Sequence, residues 1–299
     1  MRILVVGTGA LACLFAARLV GAGYPVSMLG SWPDGLAALR QKGVRLLGLD
    51  GSDAQYPVEV LEGSHSHGNY RQALVLVKSW QTERAAKQIE GILSDNGLAL
   101  TLQNGFGNTE TLQATLGQDR VALGVTTVGA RMIEPGYVQH TGDGKVMIGA
   151  HPKLGELGDQ LKQARFLVEI TADPESLLWG KLVINAAINP LTALLRVPNG
   201  ELLTRPSARQ LLAETAREAA MVASHQGINL PYNDPVNAVE DVARNTAANT
   251  SSMLQDVLRG TPTEIEAING AIIRAGEKLR VPTPVNRMLW RLVSGLDHR

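Results

Sequence analysis

The chain has 299 residues, more than one hydrophobic core usually organises, and a prior of roughly 150 residues per domain points to two domains. Its 28 basic and 28 acidic residues cancel without forming a charged run, which removes the signature of a nucleic-acid or anionic-membrane binder and leaves a small molecule as the expected partner. Cys13 is the only cysteine and the six His show no ligand spacing, with His65 and His67 two apart in a polar loop, so neither a disulfide framework nor a metal site is expected.

The chain enters a strand directly at Arg2 with no charged leader, and no apolar run reaches about 18 residues unbroken, so a cytoplasmic protein that does not span a membrane is expected. Ile3 to Val6 is the apolar run of a buried parallel strand, and Gly7-Thr8-Gly9-Ala10-Leu11-Ala12 follows at once, leading into an apolar helix from Leu14 to Val20. The order strand, glycine turn, helix with the spacing G-x-G-x-x-A is the dinucleotide fingerprint. Gly7 permits the tight turn, Gly9 lets the backbone approach a pyrophosphate, and Ala12 lets helix pack on strand. Cys13 lies among apolar residues, where burial is expected rather than catalysis.

The second strand, Pro25 to Leu29, ends in Gly30-Ser31-Trp32. An acid at this position would bind a ribose 2′-hydroxyl and repel a 2′-phosphate; with none present, NADP is admitted, Ser31 can donate to the phosphate, and Arg40 is the nearest cation. Short strands follow at Val44 to Leu47 and Val58 to Leu61 around a turn at Asp50 to Asp53, and the polar loop from Glu62 to Tyr70 has no assigned role. Strand Ala73 to Val77 delivers Lys78-Ser79-Trp80-Gln81 to its carboxyl end, and strand Leu98 to Leu102 delivers Gln103-Asn104-Gly105 in the same way. Lys78 and Asn104 are therefore expected side by side at the cofactor edge of the sheet, though either also reads as a solvated turn residue.

Further strands are read at Val121 to Val128, Tyr137 to His140 and Val146 to Ile148, the last two joined as a hairpin through Thr141-Gly142-Asp143-Gly144, and Leu167 to Ile170 completes the sheet. From Asp173 onward helical periods dominate: a long helix from Leu177 to Leu202, then Ala208 to Gln226, Val236 to Asn245, Glu264 to Lys278 and Val285 to Val293. The reading is an α/β Rossmann-type N-terminal domain over residues 1–171 followed by an all-α domain over 172–299.

In the long helix Lys181, Asn185 and Asn189 recur every four residues, which lines them along one face of an otherwise oily helix. Burying such groups without partners costs roughly 2–7 kcal/mol each, so the seam is expected to face a wet cleft or a polar ligand. The bland alternative has Lys181 reaching solvent and the two amides satisfying one another. Ser252, and Glu264 in Thr261-Pro262-Thr263-Glu264, also sit where helix starts favour hydroxyls and acids for capping alone.

Taken together, Gly7-Thr8-Gly9-Ala10-Leu11, Lys78-Ser79-Trp80-Gln81, Asn104-Gly105, Leu178-Trp179-Gly180-Lys181-Leu182, Ile188-Asn189-Pro190-Leu191-Thr192-Ala193, Pro198-Asn199-Gly200-Glu201, Ser251-Ser252-Met253-Leu254-Gln255-Asp256 and Thr263-Glu264-Ile265 run in order over nearly the whole chain, and in them it resembles the ketopantoate reductase family. The resemblance implies NADPH-dependent reduction of 2-dehydropantoate, with Lys181 as general acid, Glu264 holding the substrate hydroxyl, and Asn104, Asn185, Asn189, Asn199 and Ser252 binding or orienting substrate. Lys78, with Asn104, then lies at the cofactor beside Gly7, Thr8, Gly9, Ala10, Leu11, Ala12 and Ser31. Family members usually carry Arg where this chain has Ser31, which weakens the expectation of strict NADP preference. A paralogue acting on another 2-keto acid, or a non-catalytic dinucleotide sensor, are the competing readings. A homodimer is compatible with the sequence.

Overall fold

The computed structural model describes residues 2–61 and 70–296; His65, His67 and the loop without an assigned role, apart from Tyr70, lie outside them. The chain forms two compact units, Met1–Gln103 with Asn108–Pro174, and Glu175–Arg299 with Asn104–Gly107.

The first unit contains β1 (Ile3–Val6), α1 (Ala10–Gly21), β2 (Val26–Leu29), α2 (Pro33–Lys42), β3 (Val44–Leu47), β4 (Asp53–Tyr56), β5 (Glu59–Val60), β6 (Tyr70–Val75), α3 (Thr82–Glu90), β7 (Leu93–Thr101), α4 (Asn108–Leu116), β8 (Val121–Thr126), β9 (Gly129–Glu134), β10 (Tyr137–Gly142), β11 (Lys145–Gly149), α5 (Leu157–Gln163) and β12 (Leu167–Thr171). These strands make two sheets where the sequence suggested one. The larger is ordered β12-β11-β8-β7-β6-β1-β2-β5 and the smaller β4-β3-β10-β9. In the larger sheet β1 pairs in parallel with β2 on one side and β6 on the other, so the strand order reverses at β1, the position where open α/β sheets admit ligands at their carboxyl edge.

The second sheet explains why α1 lacks a polar face. Packed against strands of both sheets, it buries Ala12, Cys13, Leu14, Phe15, Ala16, Ala17 and Leu19 completely. Phe15 stacks on Phe166 with ring centroids 4.1 Å apart, closing the core at the far end of the sheet. The Cys13 thiol, held in this apolar layer, is pushed up to about 12 by burial and is chemically inert.

The hairpin expected between β10 and β11 does not form, because those strands belong to different sheets. The hairpin is instead β9–β10, turning over Pro135-Gly136 with Gly136 at φ +74, the pairing of Pro and left-handed Gly that a type II turn requires. Gly144 marks the crossing from one sheet to the other: a Cβ there would lie 2.4 Å from the Thr127 carbonyl carbon, and Lys145 and Thr127 exchange hydrogen bonds through the Thr127 amide and hydroxyl.

The second unit is helical: α6 (Pro174–Leu195), α7 (Glu201–Thr204), α8 (Pro206–His225), α9 (Pro235–Asn245), α10 (Ser252–Arg259), α11 (Ala271–Leu279), preceded by a π turn at Glu266–Gly270, and α12 (Pro284–Ser294). Its core gathers Trp179, Leu182, Val183, Ala186 and Ala187 of α6 with Leu212, Ala216 and Ala219 of α8, Ile272 of α11, and Leu289 and Val293 of α12. Helix α6 is long and apolar enough to cross a membrane by composition, yet most of it is buried in this fold. It ends at Leu195, seven residues before the expected Leu202. Arg196 takes the left-handed conformation at φ +54, the Val197 amide reaches back to the Thr192 carbonyl, and Pro198 admits no further helix.

Candidate active site

The candidate nucleotide site of the first unit is made of backbone. Gly7 sits at φ +131, and a Cβ there would lie 2.9 Å from the Leu76 carbonyl oxygen and 3.3 Å from the Ala12 Cβ, so the turn closes only with glycine. Gly9 is the N-cap of α1 and faces open space, with nothing within 4 Å of where its Cβ would be. No side chain caps this helix and no acid stands in its first turn, which leaves the amides after Gly9 and the positive end of the helix dipole for an anionic ligand. The residues present therefore fit a dinucleotide pyrophosphate at Gly7, Thr8, Gly9, Ala10, Leu11 and Ala12.

The tip of β2 presses on this turn, since a Cβ on Gly30 would lie 2.6 Å from the Thr8 methyl. The next residue, Ser31, accepts a hydrogen bond from the Arg84 guanidinium and a longer one, 3.4 Å, from Gln81 Nε2. A cation thus stands at the strand end after all, Arg84, delivered by α3. The signal was local to the β6 turn: Gln81 and Arg84 occupy the first residues after Lys78-Ser79-Trp80. Lys78 is fixed there by the Gln81 amide donating to its carbonyl at 2.8 Å.

Asn104 opens a four-residue segment that groups with the helical unit. At the end of β7 the chain turns through Gly105 at φ +85 and joins the helical unit, where the Phe106 amide donates to the Ala267 carbonyl at 2.8 Å and the Phe106 ring lies 5.7 Å from Trp179. A Cβ at Gly105 would meet the Ala267 methyl at 2.7 Å, so this docking also requires glycine.

In the helical unit α6 carries the whole seam. Lys181 and Asn185 are half-buried and Asn189 is buried. The Asn189 amide donates to the Ser252 hydroxyl at 3.5 Å, which replaces the alternative in which the two amides satisfy one another. The capping reading applies to the neighbouring residue: Ser251 Oγ accepts from the Leu254 amide and lies 2.6 Å from Thr192 Oγ1, which frees Ser252 to meet the seam. Glu264 is 5% exposed, and its carbonyl accepts from the Ile268 amide at 3.0 Å, so it stands at a helix start as the bland reading held. Its carboxylate nonetheless acts on Lys181. Dense surroundings hold the Lys181 ammonium down to about 8 and the Glu264 charge pulls the other way.

Two features near Lys181 escaped the sequence. Gly180 admits Pro231, whose Cγ would lie 2.6 Å from a Cβ at 180, and Tyr232 donates from its hydroxyl to the Gly180 carbonyl at 3.0 Å. A glycine inside an apolar helix was the available sign of such close approach. Asn199 is placed away from the seam contacts, with its amide on Thr246 Oγ1 at 2.9 Å and its backbone N–H on the Asn249 carbonyl, tying the end of α6 to the link after α9.

The chain is similar over its length to known proteins. The family described as ketopantoate reductase PanE/ApbA matches residues 3–153, and its C-terminal counterpart matches 173–297. The chain is 36% identical to a 2-dehydropantoate 2-reductase of Archaeoglobus fulgidus, over 99% of this chain and 98% of that protein. A PanE/ApbA family ketopantoate reductase of Ralstonia eutropha superposes with a TM-score of 0.92 at 32% identity, covering 99% of this chain and 98% of its own. A D-mandelate dehydrogenase solved with NADH and anilino(oxo)acetate superposes at 0.93 with 24% identity over 99% and 98%, a likeness of fold alone.

Proposed function

Because the chain belongs to the ketopantoate reductase family, we propose that it reduces 2-dehydropantoate to pantoate, a step toward pantothenate and coenzyme A, with NADPH as the hydride donor and Lys181 as the proton donor. The observation that carries this reading is the pair on the helical unit, an ammonium lowered to about 8 by burial while the Glu264 carboxylate favours its charged form. Hydride addition to a 2-keto acid leaves a developing alkoxide, and the substrate oxygen must gain a proton as the C–H bond forms. An acid with a pKa near 8 is mostly protonated at neutral pH and releases its proton readily, the poise that general acid catalysis favours. A sensor that bound nucleotide alone would have no use for this pair.

NADPH supplies the hydride from its dihydronicotinamide ring when bound. Gly7, Gly9 and the α1 amides would hold its pyrophosphate. Ser31, Arg84 and Gln81, which meet one another, would hold the ribose 2′-phosphate, where the guanidinium would supply the charge that the serine lacks. Lys78, just after the carboxyl end of β6, would serve the same cofactor. On the helical unit Asn104, Asn185, Asn189 and Ser252 furnish neutral donors for the substrate carboxylate and carbonyl, and Glu264 accepts from the substrate hydroxyl. Asn199 serves the same site at one remove by holding the end of α6. A cytoplasmic setting accords with a lone buried thiol.

The test is ketopantoate-dependent oxidation of NADPH by the purified protein, run beside a 2-keto acid lacking the hydroxyl. Turnover of ketopantoate with loss of preference in Glu264→Ala supports the reading; equal turnover of both substrates by the unaltered protein assigns it to a different 2-keto acid.

A further inference from the structure

Helix α6 contains a proline four residues after Ala186. In an uninterrupted helix the Ala186 carbonyl would accept the amide of residue 190, but Pro190 has no N–H and its ring crowds that carbonyl. Ala186 is 0% exposed, so its carbonyl is removed from bulk solvent. The missing donor comes from another segment: Asn269 Nδ2 lies 3.1 Å from the Ala186 oxygen. Asn269 is itself completely buried and spends its other amide proton on Asn286 Oδ1, also at 3.1 Å. Asn286 in turn donates to the Thr215 carbonyl at 3.2 Å and to the Glu218 carboxylate at 2.9 Å, and Glu218 accepts the amides of Val285 and Asn286 at the start of α12. Asn269 is therefore anchored from behind while it reaches α6.

Its place in the chain gives this bond a consequence. Asn269 belongs to the π turn Glu266–Gly270, which begins two residues after Glu264, and Ala186 directly follows Asn185 in the polar seam. π turns are rare and recur at functional sites, where the extra residue in the turn re-aims side chains. Here it turns an asparagine toward the interior carbonyl of α6 that Pro190 leaves without its helical donor.

We propose that Asn269 is a positioning residue: by standing in for the donor that Pro190 removes, it holds the segment bearing Glu264 in register with the face of α6 bearing Lys181. The catalytic meaning of that register rests on the function proposed above, whereas the register itself is testable without turnover.

The experiment is a double-mutant cycle read on Lys181 rather than on activity. The full chain is acylated with an amine-reactive probe across a range of pH, and modification at Lys181 is followed by mass spectrometry to give its pKa in the unaltered protein, Glu264→Gln, Asn269→Ala and the double variant. Glu264 favours the charged ammonium, so Glu264→Gln lowers this pKa in the unaltered background. With Asn269 removed the carboxylate is no longer held, and the same Glu264→Gln change is expected to move the pKa by less than half as much. A shift of the same size in both backgrounds overturns the proposal. Should Asn269→Ala fail to fold, Pro190→Ala/Asn269→Ala restores a backbone donor to Ala186 while leaving the tie cut, and the same comparison is made in that background. Failure of ketopantoate to oxidise NADPH would refute the function and leave this result standing.

Discussion

On the function proposed above, the two units solve the same problem, holding a polar ligand on an apolar frame, by opposite means. The nucleotide half uses main chain: Gly7, Gly9 and the first turn of α1, with side chains added at its margin by Ser31, Arg84 and Gln81. The acid half uses side chains drawn from separate elements, Lys181 and Asn189 from α6, Ser252 from α10 and Glu264 from the turn before α11. A main-chain site breaks when a Cβ is added, whereas a side-chain site breaks when one is shortened.

The sharpest break is therefore Lys181→Ala. General acid catalysis contributes about 10²–10⁴-fold, and ketopantoate turnover should fall by that order while NADPH affinity, measured by fluorescence titration, stays within about twofold. Parallel loss of both would erase the division between the halves. The converse is Gly7→Ala, which places a Cβ against the Leu76 carbonyl at a left-handed φ. Strain of about 2–3 kcal/mol at this turn should weaken NADPH and NADH alike by roughly 30–150-fold. A variant that binds both normally would show that the turn is not the nucleotide cradle.

Smaller effects test the margins. Arg84→Ala should weaken NADPH about tenfold and leave NADH unchanged, because only NADPH carries the phosphate that the guanidinium meets. Equal loss for the two cofactors would remove Arg84 from the discrimination. The mildest change is in pH dependence. Lys181 must carry its proton to act, so the rate of ketopantoate reduction should be level below the pKa and fall about tenfold per unit as pH rises beyond about 8. Glu264→Gln removes a charge that favours the ammonium, and the falling limb should move to lower pH; an unmoved limb would mean that the carboxylate does not reach Lys181.

The same contrast governs what could be read before folding. The glycine turn was legible because its geometry is fixed by residues adjacent in sequence, and α6 was legible because Lys181, Asn185 and Asn189 repeat with the helical period. The end of α6 was not: Val197 and Leu202 continue an apolar pattern past Pro198, and only the left-handed Arg196 reveals the stop. Strand β9 escaped because a single residue, Met132, points into the core from it. Arg84 escaped because it is 53 residues from Ser31, and the two meet only once β6 and β2 flank β1.

The segment Asn104–Gly107 bears on how such a protein can be taken apart. The backbone passes from one unit to the other three times, before Asn104, after Gly107 and after Pro174. A gene fragment stopping at residue 174 would keep the four-residue segment but lose Ala267 and Trp179, against which Phe106 packs, and a fragment starting at residue 175 would lack the piece that fills its own surface. Chimaeras that exchange the helical half between relatives should accordingly carry residues 104–107 with it, as a graft into the donor of the other half, if the hybrid is to keep both its solubility and its fold.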